Sequence, residues 1–305
     1  MTAPLVSVLI TAYNREEYLA ASIESVLAQR LGDFELIVVD DRSTDGTLEI
    51  ARDYARRDAR VRVHANERNL GDYGNRNFIA SLARGELLKF HDSDDVMYPH
   101  CLEVMVAAMQ TEARGGFGLS AHRAWPGGPV PMLLTPRQAY QREFLGLGLF
   151  MCGPAAAVFR TKVFRELGGF ENFGPPSDTI FWMRACARYP VLLLPTDLFY
   201  YREHPGQQLQ APTSARQYAT VTAHAWRALA APECPLDETE RAIARRNVAF
   251  GTAKTIWQAA QRGQFALAWH RAAASGITGA EWLRYLRPPR RSVQAGMSPI
   301  AEARR

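Results

Sequence analysis

Leu5-Val-Ser-Val-Leu-Ile10 is a short apolar run rich in β-branched residues, and the polar stretch Thr11-Ala-Tyr-Asn14 follows it without a gap. Apolar residues at nearly every position, rather than at alternate ones, predict a strand buried on both faces. Phe34-Glu-Leu-Ile-Val-Val39 repeats the pattern and ends in the polar turn Asp40-Asp41-Arg42-Ser43-Thr44-Asp45-Gly46. Between the two, Asn14 is placed to cap a helix over about residues 15–29, with Tyr18, Ile23, Val26 and Leu27 as its apolar positions. A second helix is expected over about 47–57, then strands at Val61-Arg-Val63 and Leu87-Leu-Lys-Phe90. Strands joined by helices in this order predict a mostly parallel α/β sheet flanked by helices, with ligands at the carboxyl ends of its strands.

Polar clusters fall at those ends. Thr11, Tyr13 and Asn14 follow the first strand, Asp40 and Asp41 the second, and Asp92-Ser93-Asp94-Asp95 the strand ending at Phe90. One shared site explains their convergence better than separate accidents. Three carboxylates in four residues repel one another and need compensation if they are buried. A hard divalent cation, Mg²⁺ or Mn²⁺, supplies it by taking one or two carboxylates together with the phosphate oxygens of a substrate. The competing reading is a solvated acidic turn.

Beyond residue 100 the pattern loosens. A helix at about 100–113 precedes a loop containing Pro126, Gly127, Gly128, Pro129 and Pro131; a strand is expected near Ala156-Ala-Val-Phe159, and a helix from Thr161. Asp178 opens an amphipathic helix reaching about Arg188, and Leu198-Phe-Tyr-Tyr201 reads as a strand. From 216 onward the sequence is helical and Arg-rich. Asp237 with Glu240, and Thr278 with Glu281, have the spacing of reciprocal helix caps. Phe265 with Trp269, then Trp282, Tyr285 and Leu286, give apolar stripes, and the end from Pro288 is expected to fray.

The net charge of +5 is unevenly spread: 22 Lys/Arg against 25 Asp/Glu in residues 1–215, and 14 against 6 in 216–305. The larger segment has no basic stripe, which argues against a nucleic acid partner. Cys101, Cys152, Cys186 and Cys234 form no CxxC pair and are expected to be reduced, buried thiols. No apolar run approaches the roughly 18–20 residues that cross a bilayer. The start lacks the flank and core of a signal peptide, so a cytoplasmic location is expected.

Val6-Ser-Val-Leu-Ile-Thr-Ala-Tyr-Asn14, Ile37-Val-Val-Asp-Asp-Arg-Ser-Thr-Asp-Gly46, Asn69-Leu-Gly71 with Asn75-Arg-Asn77, Gly85-Glu86, and His91-Asp-Ser-Asp-Asp95 stand in order along the chain. This series resembles the successive blocks of family 2 glycosyltransferases, densely over residues 5–100. It continues loosely to 206 through Gly168-Gly-Phe170, Asp178 and His204-Pro-Gly206. The resemblance implies a GT-A-type, Rossmann-like sheet with a helical C-terminal extension. It implies a catalytic domain over 1–215, with a nucleotide-binding half (1–100) and an acceptor-binding half (101–215), and a basic helical segment over 216–305.

The same resemblance assigns roles. Thr11, Ala12, Tyr13 and Asn14 would line the base pocket, Asp41 with Asp40 nearby would hydrogen-bond the base, and Arg76 would face base or diphosphate. Asp92 and Ser93 would lie at the ribose, with Asp92 also within reach of the metal, and Asp94 would ligate it. His204 is a further candidate ligand, and Arg202 an alternative diphosphate contact. Asp178 is the candidate base in Gly168-Gly-Phe-Glu-Asn-Phe-Gly-Pro-Pro-Ser-Asp178, although Ser177 stands where the family usually has Glu. Tyr73, His91 and Trp182 are sugar-site candidates, with core packing as the competing reading.

The expected partners are a nucleoside-diphosphate sugar (UDP first, GDP or dTDP as alternatives) and a glycan or lipid-linked acceptor in bacterial surface-polysaccharide synthesis. A non-catalytic nucleotide-sugar-binding module is the main alternative. A nucleotidyltransferase would need a Gly-rich basic loop after the first strand, which Thr11-Ala-Tyr-Asn14 is not. For 216–305 three readings stay open: a packing arm or lid, a homodimer interface, or peripheral attachment to the inner face of the membrane.

Overall fold

A computed structural model of the chain describes residues 3–120, 129–146, 148–204, 207 and 214–285. The first half runs β1 (Val6–Ala12), α1 (Leu19–Leu27), β2 (Phe34–Asp40), α2 (Thr47–Arg57), β3 (Val61–Ala65), α3 (Asp72–Ser81), β4 (Leu87–Asp92), β5 (Val96–Met97) and α4 (Cys101–Thr111). Then follow β6 (Phe117–Leu119), β7 (Met132–Leu134), α5 (Pro136–Phe144), a 3₁₀ turn (Pro154–Ala156), β8 (Ala157–Arg160), α6 (Thr161–Glu166), α7 (Ser177–Arg188), β9 (Val191–Leu193) and β10 (Phe199–Tyr200). The C-terminal helices are α8 (Ser214–Tyr218), α9 (Thr220–Ala230), α10 (Glu238–Gln261), α11 (Phe265–Ala274) and α12 (Gly279–Tyr285).

The main sheet has the order β3-β2-β1-β4-β8-β6-β9-β7. Its first four strands are parallel, and β8 joins β4 antiparallel. Both faces are covered, which is why β1 and β2 read as unbroken apolar runs. The expected mostly parallel sheet with flanking helices is the observed architecture.

Two anchors fix the register of this half. Glu35, buried in β2, accepts from Ser7 Oγ (2.7 Å), Arg84 N (2.9 Å), Arg62 Nη1 (2.7 Å) and Arg84 Nη2 (2.7 Å). Burial alone would raise its pKa, but these donors outweigh it and hold the carboxyl below its usual range. The second anchor joins two sequence blocks: Asn77 Nδ2 donates to Phe170 O (2.7 Å) while Asn77 Oδ1 accepts from Phe170 N (2.9 Å). The amide thus pairs with Phe170 as a neighbouring strand would. Gly169 makes this possible, since its φ is +71° and a Cβ there would lie 2.4 Å from Asn77 Oδ1.

The C-terminal helices share the main core. Ala225, Leu229, Cys234, Leu236 and Ala244 belong to the same buried cluster as Phe90, Phe117 and Trp182. Both expected caps form, at Asp237/Glu240 and at Thr278/Glu281. Phe265 and Trp269, however, are exposed rather than packed. No helix among the described residues is long and apolar enough to cross a membrane. Pro126 to Gly128, Pro205, Gly206, Leu286 and the tail from Pro288 lie outside the described residues.

The first helix corrects an expectation. It begins at Leu19, and Asn14 does not cap it. Asn14 has a φ of +52°, and its Oδ1 accepts from Thr44 N (2.9 Å), so it ties the loop after β1 to the loop after β2.

Candidate functional site

The parallel register sets Thr11 beside Asp92 and Ala12 beside Asp40 at the carboxyl ends of the strands. A cavity of about 870 Å³ opens there. Thr11, Ala12, Tyr13, Asn14, Asp41 and Tyr73 form part of its wall, with Arg76, Asp92, Ser93 and Asp94 beside them and Asp178 from α7. One pocket therefore gathers most of the residues that the sequence singles out.

Asp41 is buried and already employed. Its Oδ1 accepts from Asn66 Nδ2 (2.7 Å) and Leu70 N (2.8 Å), and its Oδ2 from Gly71 N (3.0 Å). A carboxylate has about four lone-pair sites, so capacity for one more donor, such as a base N–H, remains. Asp40 differs from expectation: it does not line the cavity, and its Oδ2 accepts from Ser43 N (3.0 Å) to close the turn behind it.

Arg76 on α3 bridges two carboxylates, donating from Nε to Asp72 Oδ1 (2.7 Å) and from Nη2 to Asp92 Oδ1 (2.8 Å). Burial would raise the Asp92 pKa, but the Arg76 charge outweighs it and keeps the carboxylate ionised. Asp95 is the opposite case. It is buried, and burial with the neighbouring Asp92 charge pushes its pKa up to about 8. Its Oδ1 accepts from Arg202 N (3.0 Å), which makes it a structural anchor.

Asp94 Oδ2 accepts from Arg15 Nε at 3.2 Å and lies 3.0 Å from His204 Nε2. Arg202 Nε donates to Asp94 O (2.8 Å), and its guanidinium covers the Tyr18 ring rather than lining the cavity. Adjacent ligands of one octahedral Mg²⁺ or Mn²⁺ stand about 3 Å apart, so the Asp94 oxygen and the His204 nitrogen fit as neighbouring donors. Among the described residues no group of three or more His, Cys, Asp and Glu side chains could hold a metal on its own. A cation here would complete its shell with diphosphate oxygens and water, as Mg²⁺ commonly does.

Asp178 stands in the first turn of α7 and opens onto the cavity. Burial raises its pKa to about 7, against the pull of bonds from Thr179 N and Oγ1. Ser177 Oγ donates to Gly174 O (2.7 Å) and accepts from Phe173 N (2.8 Å). The position where Glu is usual in the resemblance thus closes the turn that presents Asp178.

Two sugar-site candidates belong to the core. Trp182 is fully buried, donates from Nε1 to Cys152 O (2.8 Å) and stacks between Phe117 and Phe159. His91 is also fully buried and outside the cavity wall, and burial drives its pKa to about 3, so it is neutral. Tyr73 does line the cavity and donates to Pro175 O (3.3 Å).

Sequence reasoning passed over Arg15, Asp72 and the wall at Met151 to Pro154 with Tyr201 and Tyr218. The i,i+4 spacing of Asp72 and Arg76 was a readable signal. The wall carried none.

The family model described as glycosyl transferase family 2 matches residues 7–168. The chain belongs to that family. Bacillus subtilis EpsE is 35% identical over 183 residues, covering 56% of this chain and 62% of EpsE. The Escherichia coli UDP-Glc:α-D-GlcNAc-diphosphoundecaprenol β-1,3-glucosyltransferase WfgD is 37% identical over 105 residues, 34% of this chain and 41% of WfgD. The chain therefore spans less than two thirds of either relative. Among solved structures, S. aureus TarS in complex with UDP-GlcNAc superposes with a TM-score of 0.63 at 23% identity, covering 80% of this chain and 70% of that one. The Pyrobaculum calidifontis mannosyltransferase PcManGT in complex with GDP-Man and Mn²⁺ gives 0.60 at 18% identity, covering 93% and 85%. These two likenesses establish a shared fold.

Proposed function

We propose that the chain transfers a sugar, with inversion, from a nucleoside-diphosphate sugar to a hydroxyl of a glycan or lipid-linked acceptor. The observation that carries this reading is the single cavity joining Asp41, Asp92 and Asp94 to Asp178, a carboxyl whose pKa stands near 7. A base poised near the working pH combines adequate proton affinity with a large ionised fraction.

Thr11, Tyr13 and Asp41 would hold the nucleoside, and Arg76 keeps Asp92 ionised and aimed beside Thr11. Asp94 and His204 would hold Mn²⁺ or Mg²⁺, which when bound neutralises charge on the diphosphate leaving group. Asp178 takes the acceptor hydroxyl proton as that oxygen bonds to the anomeric carbon on the face opposite the diphosphate. The bond from carbon to diphosphate oxygen then breaks, and the nucleoside diphosphate departs. The WfgD name, with its UDP-Glc donor and lipid diphosphate acceptor, supports a surface-polysaccharide role. The GDP-Man and Mn²⁺ in PcManGT support the cation.

In this reading residues 1–215 carry the chemistry, and 216–305 form a helical extension on the acceptor side. A screen of nucleotide sugars for Mn²⁺-dependent thermal stabilisation would identify the donor. Turnover of that donor by the wild type and its loss in Asp178→Asn support an enzyme. Binding without turnover in the wild type would point to the non-catalytic module instead.

A further inference from the structure

We infer that the hairpin made by the C-terminal half of α10 and by α11 is a docking surface for an anionic lipid bilayer. Trp257 on α10, and Phe265 and Trp269 on α11, are 65%, 69% and 77% exposed. Large rings contribute most when removed from water, and three in one hairpin form an unsatisfied apolar surface. Gly263, with a φ of +71°, reverses the chain between the helices. Trp257 and Trp269 each lie six residues from it. Both therefore sit about 9 Å along their helices from the tip.

The charge on this hairpin is of one sign. Between Glu240 and Glu281 the sequence has no Asp or Glu, yet it carries Arg241, Arg245, Arg246, Lys254, Arg262 and Arg271. Among the described residues no ion pair reaches Lys254, Arg262 or Arg271. The carboxylates of α10 are gathered at its other end, where Glu240 pairs with Arg137. That end lies about 25 Å from Trp257 at 1.5 Å per residue. Amphipathic rings beside uncompensated cations match the headgroup zone of an anionic leaflet, which accepts the ring at its boundary and attracts the charge.

The placement also serves the site. Arg271 of α11 lines a second cavity, of about 560 Å³, which shares Met151, Thr179 and Tyr218 with the cavity holding Asp178. The hairpin is one wall of a path that leads to the base.

Co-sedimentation of the full chain with vesicles tests the proposal. The wild type is expected to bind vesicles containing roughly a third phosphatidylglycerol, and to bind pure phosphatidylcholine far more weakly. Trp257→Ser/Phe265→Ser/Trp269→Ser should lower partitioning about tenfold or more while the far-UV circular dichroism stays that of the wild type. Lys254→Glu/Arg262→Glu, which leaves the rings in place, should abolish the preference for anionic vesicles. Wild type that ignores anionic vesicles, or a triple variant that binds them undiminished, would overturn it. So would a dimer in sedimentation velocity that the triple variant dissolves in the absence of any vesicle binding, since the face would then belong to a second copy.

Discussion

Asp94 Oδ2 and His204 Nε2 lie 3.0 Å apart although 110 residues separate them in sequence. The cause is the short antiparallel pair of β5 and β10, which sets Met97 against Phe199 and Val96 against Tyr200. β5 directly follows the acidic cluster and β10 directly precedes Arg202 to His204, so pairing them folds the later loop back over the cluster. Asp95 then fixes the loop through Arg202 N, and Asp94 O fixes it through Arg202 Nε.

His204→Ala should lower the affinity for UDP in the presence of Mn²⁺ by about tenfold or more, the scale seen when a metal site loses a supporting group. Affinity in the presence of a chelator should change little. Titration calorimetry with and without EDTA separates the two, and equal losses in both would mean that His204 only supports the loop.

Asp178→Asn should reduce kcat by about 10²–10⁴-fold with little change in donor KM, because the group acts on the acceptor proton. For the wild type, kcat/KM should rise with pH through about 7, where the Asp178 carboxyl ionises. A steady-state profile from about pH 5 to 9 checks this. A rate that stays flat across that range would exclude Asp178 as the base.

The same raised pKa predicts a stability effect of definite sign. The folded state holds the Asp178 proton up to about pH 7, whereas the unfolded chain releases it near the ordinary carboxylate value of 3.8. Ionisation thus costs stability progressively as pH rises between those values, and the cost is complete above the folded pKa. Asp178→Asn should therefore be more stable than wild type at pH 8, by roughly 1–3 kcal/mol, and equal to it near pH 3–4. Urea melts at both pH values measure it.

Gly169→Ala should destabilise the fold by about 1–3 kcal/mol, since the residue has left-handed backbone and its Cβ would meet Asn77 Oδ1. It should also reduce turnover, because the Asn77–Phe170 pairing fixes the start of the loop that ends at Asp178. Asn77→Ala should share both effects, and a double-mutant cycle should show strong coupling between the two positions.

The sheet was legible because β1, β2 and β4 are buried on both faces, so composition alone marks them and polarity marks their ends. What a sequence does not display is which of two adjacent residues faces the cavity. In β4 successive side chains alternate, so Asp92 reaches the site while His91 is sealed in the core. Asp40 and Asp41 diverge similarly, one closing a turn and the other lining the pocket. Trp182 was ambiguous because its helix is buried around most of its circumference. Asn14 had the residue type of a cap, but a tertiary bond to Thr44 claimed its side chain. Long-range pairing settled these cases, and no local pattern carries it.

The reading of the acidic cluster as a cation and diphosphate site stands or falls most directly on calorimetric titration of UDP with Mn²⁺ into the wild type and Asp94→Ala. The wild type should bind in a Mn²⁺-dependent manner, and Asp94→Ala should lose about tenfold or more of that affinity while keeping its fold. Equal, Mn²⁺-dependent binding by both proteins would contradict it.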